Sequence, residues 1–107
     1  EPEFLPNQPL AVIWDEGGSK QWYVGFYLDQ DEDEGCFRVD HLTRTGPGDE
    51  VWQRPPGSDD VQEVIQQQVV PVALHGSWDF SNLRKPQFIV TNTHEVVETF
   101  HQISQSV

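Results

Sequence analysis

Residues 10–42 read LAVIWDEGGSKQWYVGFYLDQDEDEGCFRVDHL and contain the strongest strand and turn signals of the chain. Three short apolar runs, Leu10–Trp14, Trp22–Leu28 and Cys36–Leu42, are separated by two polar connectors that contain glycine. Runs rich in β-branched and aromatic residues, bounded by Gly and Asp clusters, are typical of strands joined by turns. This stretch therefore predicts a three-stranded antiparallel meander.

The middle run alternates between two sets of residues. These sets are Trp22, Val24, Phe26 and Leu28, and Tyr23, Gly25 and Tyr27. Successive side chains of a strand point to opposite faces, so one set can line a core while the other stands on an outer face or at a rim. Both sets contain aromatic residues, which is more than a small core needs. This surplus indicates a binding role.

The length of 107 residues predicts one domain. The charge composition restricts the kinds of partner that this domain can bind. Eighteen acidic residues against six basic ones give a formal net charge of −12. A field of this sign repels phosphate backbones, and the basic residues form no cluster, so nucleic acid is disfavoured. A basic peptide or protein tail is the partner that the charge favours. The acidity would equally keep a small domain in solution without any ligand.

Cysteine content and hydropathy indicate an intracellular protein. The single cysteine, Cys36, excludes an internal disulfide and indicates a reducing compartment. We expect neither a membrane span nor a signal peptide. Residues 1–9 are expected to form an extended lead-in whose first residues belong to a cloning scar.

The domain is expected to occupy residues 10–107, with a core over 10–54 and an extension over 55–107. Within it, Val51–Arg54 predicts a fourth strand. Residues 61–65 predict either a short helical turn or an irregular edge segment, because Val and Ile form helices poorly. Residues 69–74 predict an edge strand that contains a proline.

The rest of the extension predicts a turn, a strand and a helix. Residues 75–79 predict the turn, and Gln87–Thr91 predicts the strand. A helix is expected over residues 93–103, because Asn92 and Glu95 have the spacing of a capping box. One apolar stripe follows at helical spacing, formed by Val96, Val97, Phe100 and Ile103.

No pattern typical of an enzyme is found in the chain. It contains no Gly-rich phosphate loop, no nucleophile elbow and no paired-cysteine motif, so we expect neither catalysis nor a cofactor. His94, Glu98 and His101 share a helix face, but an exposed polar face explains this pattern better than a metal site. We therefore predict no bound metal.

The acidic connector shares part of the pattern of a calcium-binding loop. Asp29, Asp31 and Asp33 alternate as in an EF-hand, but Glu34 stands where glycine is required and Asp40 where glutamate is required. The connector is better interpreted as a solvated hairpin tip or as an electrostatic lip that attracts a basic ligand.

The aromatic surplus has one candidate binding corner. Trp14 ends the first strand and Tyr23 begins the second, so a hairpin can bring the two rings together. Asp40 and His41 arrive at the same end from the third strand. Two ring faces and a carboxylate can hold a methylated ammonium or guanidinium group through cation–π attraction and charge.

These residues resemble a Tudor domain. The likeness is carried by Ala11–Trp14, Trp22–Gly25 and Phe37–Asp40, which match an Ala-x-Trp first strand, an aromatic-Tyr-x-small second strand and a third strand with an acidic end. The resemblance covers residues 10–54 and implies a small SH3-like barrel with Val51–Arg54 as its fourth strand. It also implies a nuclear, chromatin-associated reader of methyl-lysine or methyl-arginine in histone tails.

The resemblance implies that Trp14 and Tyr23 are cage walls and that Asp40 is their acidic partner. Two departures weaken it. Val39 occupies the position where the family often has a third aromatic residue, and His41 follows Asp40 where Tyr or Phe and then Gly is common. The cage is thus either incomplete or completed by one of three other aromatic residues, Tyr27, Phe37 or Trp52.

The sequence as a whole predicts a mainly β fold, an SH3-like (Tudor-like) barrel with a β-rich C-terminal extension and a C-terminal α-helix. We expect a non-enzymatic module that binds a basic peptide, with a methylated Lys or Arg as one candidate ligand. The expected ligand-binding residues are Trp14, Tyr23, Asp40, His41 and Tyr27. The alternative is a protein–protein interaction or oligomerisation scaffold with a degenerate cage, which uses the 69–74 edge. The extension is either a second barrel-like lobe or a family-specific addition.

Overall fold

A computed structural model describes residues 4–31, 35–46, 48–57 and 59–105. These residues are mainly β, as the sequence predicts. The strands are β1 Pro9–Glu16, β2 Ser19–Asp31, β3 Cys36–His41, β4 Thr43–Arg44, β5 Val51–Gln53, β6 Asp60–Val64, β7 Gly76–Asp79 and β8 Gln87–Val90. A 3-10 helix spans Gln66–Gln68, and an α-helix, α1, spans Thr93–Gln105.

The strands form two antiparallel four-stranded sheets. The first has the order β1-β2-β3-β6 and contains the predicted meander, and the second has the order β4-β5-β8-β7. In the described part of the chain both sheets are open, and neither closes into the barrel that the resemblance implies. The predicted strands at 51–54 and 87–91 are confirmed as β5 and β8, which pair with each other.

Two glycines form the turn of the first hairpin. Glu16 pairs with Ser19, which leaves Gly17 and Gly18 as a two-residue turn with φ values of 61° and 88°. Such hairpins need positive φ at both central residues, and glycine adopts it without steric cost. The turn therefore fixes the register that places Trp14 opposite Gln21.

The main core lies where side chains from both sheets and from α1 meet. Its largest fully buried residue is Trp52 of β5. The first sheet contributes Ala11, Trp22, Val24 and Phe26, the second contributes Trp52, Phe88 and Val90, and the helix contributes Val96 and Phe100. Residues from 10–54 and from 55–107 therefore share one core.

A second, smaller cluster is formed by the first sheet and the segment that follows β6. Its buried members are Leu10, Val12, Tyr27, Phe37, Val39, Val64 and Val69. The rings of Tyr27 and Phe37 both pack against Phe4, with centroid distances of 5.5 Å. Phe4 therefore covers part of this cluster from the start of the described chain.

Three local predictions need correction. Residues 60–64 are neither a helical turn nor irregular, because they pair with β3 as the edge strand β6. Residues 69–74 form no strand: only Val69 makes a bridge, to Val12, since Pro71 cannot donate a ladder hydrogen bond. Residues 76–79 form β7 rather than a turn, because Trp78 pairs with Phe88.

The C-terminal helix is confirmed, with Val96 and Phe100 buried. The side chain of Asn92, expected in a capping box, also ties the start of the helix to a distant segment. Its Oδ1 accepts from the His75 N–H at 2.8 Å, and its Nδ2 donates to the Ala73 carbonyl at 2.6 Å. The same side chain lies 3.4 Å from Glu95 Oε1. Asn92 therefore joins α1 to the chain that leads into β7.

Candidate functional site

A cleft of about 420 Å³ opens at the end of the first sheet where β1 and β3 terminate. Its walls combine aromatic rings with carboxylates. They include Trp14, Tyr23, His41, Asp15, Glu16, Asp60 and Gln62. The hairpin between β1 and β2 supplies one wall, and the β3–β6 pair supplies the other.

Trp14 and His41 form the floor through a direct hydrogen bond. The indole Nε1 of Trp14 donates to His41 Nε2 at 2.9 Å, and the two ring centroids lie 5.5 Å apart. The other ring nitrogen of His41, Nδ1, lies 3.1 Å from the Val39 carbonyl and 3.3 Å from the Asp60 carbonyl. Because Nε2 accepts, the proton of the neutral ring is assigned to Nδ1, which donates to these carbonyls.

Burial holds His41 in its neutral form. Only 4% of the residue is exposed, and this desolvation lowers the pKa of His41 below its ordinary value of 6.5, although the two carbonyls and the nearby acids oppose the shift. A neutral ring keeps Nε2 free of a proton. The hydrogen bond from the Trp14 indole to His41 Nε2 is therefore kept at neutral pH.

Tyr23 is held between an acid and an internal cation. Its hydroxyl donates to Glu16 Oε1 at 2.6 Å, and this hydrogen bond raises the pKa of Tyr23 above its ordinary value. The guanidinium of Arg44 lies 5.8 Å from the Tyr23 ring centroid and 4.7 Å from that of Trp52. Arg44 is itself fixed by an ion pair with Asp49 at 3.0 Å. One cation of the chain therefore already occupies part of the aromatic surface around Tyr23.

Asp40 is not part of the cleft. It lies opposite Phe26, whereas His41 lies opposite Gly25, so the pleat of β3 sends these neighbours to opposite faces of the sheet. The carboxylate of Asp40 accepts from Arg54 Nη1 at 3.0 Å. The structure thus brings Trp14, Tyr23 and His41 together but separates Asp40 from them.

The other residues singled out by the sequence lie elsewhere. Tyr27 is buried in the smaller core cluster. Asp29 accepts a bidentate pair of hydrogen bonds from Arg38, with an Nε–Oδ1 distance of 2.7 Å, and this interaction lowers the pKa of Asp29. Asp31 ends β2, and Asp33 lies outside the described residues.

Three carboxylates of the cleft were not among the predicted ligand-binding residues. Asp15 and Glu16 directly follow Trp14, so their position at the end of the first strand was a usable signal. Asp60 reaches the cleft because β6 pairs with β3 and places Asp60 opposite His41. No local sequence pattern predicts this pairing. Gln62 enters on the same strand.

The cleft carries negative charge that no described ion pair neutralises. Asp15 accepts from the Gly18 N–H at 3.2 Å, and Asp60 accepts from Gln62 Nε2 at 2.8 Å. Glu16 accepts from the Tyr23 hydroxyl. All these donors are neutral, so the site offers carboxylates and an aromatic ring to a cation from outside.

Comparison of the chain with protein-family models, with curated proteins and with solved structures gives no match. Over residues 4–31, 35–46, 48–57 and 59–105, no group of three or more His, Cys, Asp or Glu side chains is arranged to hold a metal ion. Over the same residues, no helix has the length and apolar character needed to cross a membrane.

Proposed function

We propose that this domain is a non-enzymatic binding module that recognises a basic peptide and receives a Lys or Arg side chain, including a methylated one, in the cleft. The observation that carries the proposal is the combination of an anchored indole with three carboxylates that form no described ion pair. These carboxylates belong to Asp15, Glu16 and Asp60. The net charge of −12 adds long-range attraction for a basic ligand.

The geometry favours a methylated cation for a physical reason. The indole N–H of Trp14 is already used by His41, so the ring face is what remains for a ligand. A cation over such a face gains about 0.5–2 kcal/mol, with the larger values where both partners are desolvated. Methyl groups weaken the hydration of an ammonium or guanidinium group, which lowers the cost of that desolvation.

In this proposal the carboxylates of Asp60 and Glu16 pair with the cationic group of the ligand. Asp40 does not, because its carboxylate is bound by Arg54. It keeps the Tudor-like interpretation, in which the first sheet with β4 and β5 is a strongly opened relative of an SH3-like barrel. With this interpretation, the domain would belong to a nuclear, chromatin-associated protein, and its ligand would be a histone tail or a similar basic segment.

The test is a titration of the labelled domain with matched peptides that carry unmodified or methylated Lys or Arg. We expect binding that weakens as salt is added, since exposed charges are screened within about 10 Å at 0.1 M salt. Trp14→Ala is expected to abolish binding. Phe80→Ala is the matched control, because Phe80 is 57% exposed and is not among the cleft residues.

Circular dichroism separates loss of the site from loss of the fold. A folded Trp14→Ala domain that binds as tightly as the parent would refute the proposed role of the cleft. An equal loss of binding in Phe80→Ala would show that the ligand binds somewhere else.

A second candidate function is a protein–protein interaction or oligomerisation scaffold, and one observation favours it. Phe80 and Leu83, on the loop between β7 and β8, are 57% and 80% exposed. Large apolar side chains in this position can be buried by a partner chain. The predicted edge at 69–74 is not a strand, so this loop replaces it as the scaffold surface. Sedimentation at several concentrations tests the idea, because self-association through the loop would increase the mass and Leu83→Ser would reverse it.

A further inference from the structure

Strand β6 is an open edge of the first sheet. Residues 60–63 are all exposed, and only Val64 at its end is buried. Val61 is 41% exposed, and Ile65, just beyond the strand, is 46% exposed. The outer side of an edge strand carries backbone N–H and C=O groups that no neighbouring strand pairs. The edge formed by β6 and Ile65 thus offers backbone hydrogen bonds together with two exposed β-branched side chains.

The opposite edge of the same sheet, β1, is covered by the chain itself. Val69 bridges to Val12, and the Val70 N–H donates to the Ala11 carbonyl at 2.9 Å. The side chain of Gln68 donates to the Ile13 carbonyl at 3.2 Å. Among the described residues, the chain therefore covers part of one edge of this sheet, and no strand pairs with the other edge.

The charge of β6 selects the kind of strand that can pair with it. Residues 59–65 contain Asp59, Asp60 and Glu63 and no Lys or Arg. Two copies of this edge would bring acids close to acids, and like charges directly opposite each other destabilise a strand pair. A basic strand would be attracted instead.

The edge also leads into the cleft. Asp60 and Gln62 line it from β6, and Asp60 lies opposite His41 of β3. A strand added to β6 would lie about 4.8 Å away, with every second side chain on the cleft face. A long basic side chain at such a position would pass over Asp60 towards the Trp14–His41 pair.

We propose that a basic peptide binds by adding a strand to β6, so that alternate Lys or Arg side chains enter the cleft. This inference rests on the proposed function and specifies its geometry. Main-chain hydrogen bonds would supply affinity for an extended segment, and the cleft would select the basic side chain. The occupant is a strand-forming segment in which basic residues alternate with β-branched ones.

The probe is a synthetic nine-residue peptide in which Lys alternates with Thr and the central Lys is trimethylated. Hydrogen exchange of the β6 amides is measured by NMR with and without saturating peptide. We expect every second amide of β6 to exchange more slowly in the complex, because the remaining amides already bond to β3. Two further versions of the peptide carry N-methyl groups on alternate backbone nitrogens, in opposite phases. One phase should weaken binding by roughly 2- to 12-fold for each blocked hydrogen bond, and the other should bind nearly normally.

The outcomes separate this inference from the proposed function. If Trp14→Ala abolishes binding but β6 amides are unchanged and both N-methylated peptides bind alike, strand addition is wrong and the cleft function stands. If β6 is protected in alternation and Trp14→Ala binds normally, strand addition stands and the aromatic cleft function is wrong. A probe that fails to bind at all overturns both.

Discussion

Replacement of Trp14 by Phe tests the hydrogen bond on which the cleft is built. Phe keeps an aromatic face at this position but removes the indole N–H that donates to His41 Nε2 at 2.9 Å. His41 is only 4% exposed, so water has little access to the acceptor that is left behind. The substitution therefore isolates the contribution of one donor to the site.

The expected effect follows from that burial. An unsatisfied buried polar group costs about 1–3 kcal/mol of folding free energy. For a domain of this size, each kcal/mol corresponds to a fall in Tm of roughly 4–8 °C. Because the aromatic face remains, the affinity for a basic peptide should fall only a few-fold, far less than in Trp14→Ala.

Urea unfolding followed by circular dichroism measures the loss of stability, and the peptide titration measures affinity. Trp78→Phe is the control for the ring exchange itself, since Trp78 contacts Phe26, Phe88 and the Arg54 guanidinium through its ring. A Trp14→Phe domain that is destabilised no more than this control would show that the indole hydrogen bond is not a determinant of the site.

Two further predictions concern the same sheet. Because burial lowers the pKa of His41 below 6.5, the unfolded chain takes up a proton at higher pH than the folded one. The stability that His41 contributes is thus complete above pH 6.5 and is lost as the pH falls from there through the folded pKa. Urea titrations at several pH values should show this loss in the parent, and a His41→Gln domain that shows the same loss would contradict it. Gly25→Ala should cost about 1–3 kcal/mol by overpacking, because its Cβ would lie 2.3 Å from Val39 Cγ1. A Gly25→Ala domain as stable as the parent would rule out the close contact. Gly17→Ala, whose added Cβ would meet no atom within 4 Å, should cost about 1–2 kcal/mol through backbone strain alone, because Gly17 has a φ of 61°.

Much of the first sheet was predictable because its signals are local. Gly17 and Gly18 provide the positive φ that a two-residue hairpin requires, and the apolar runs on either side supply its strands. The prediction that Trp14 and Tyr23 lie at one end of the sheet depended only on this hairpin. Both residues line the cleft.

The acidic partner was misplaced for a geometric reason. Asp40 and His41 were expected to arrive at the same corner, but adjacent residues of a strand face opposite ways. Only His41 reaches the cleft, and Asp40 meets Arg54 on the other face. The alternation of side chains along a strand, which is visible in the sequence of β3 as it is in β2, predicts this separation.

The meander, the C-terminal helix, the net charge and the aromatic richness of the first strands follow from residue type and short-range spacing, so they can be predicted without a structure. Three other features become visible only in the folded chain: residues 60–64 pair with β3, Tyr27 is buried, and Asp60 lines the same cleft as Trp14 and His41. These features depend on contacts between segments far apart in the chain. Such contacts are set by which apolar faces and sheet edges can be satisfied together, and no local pattern encodes that choice.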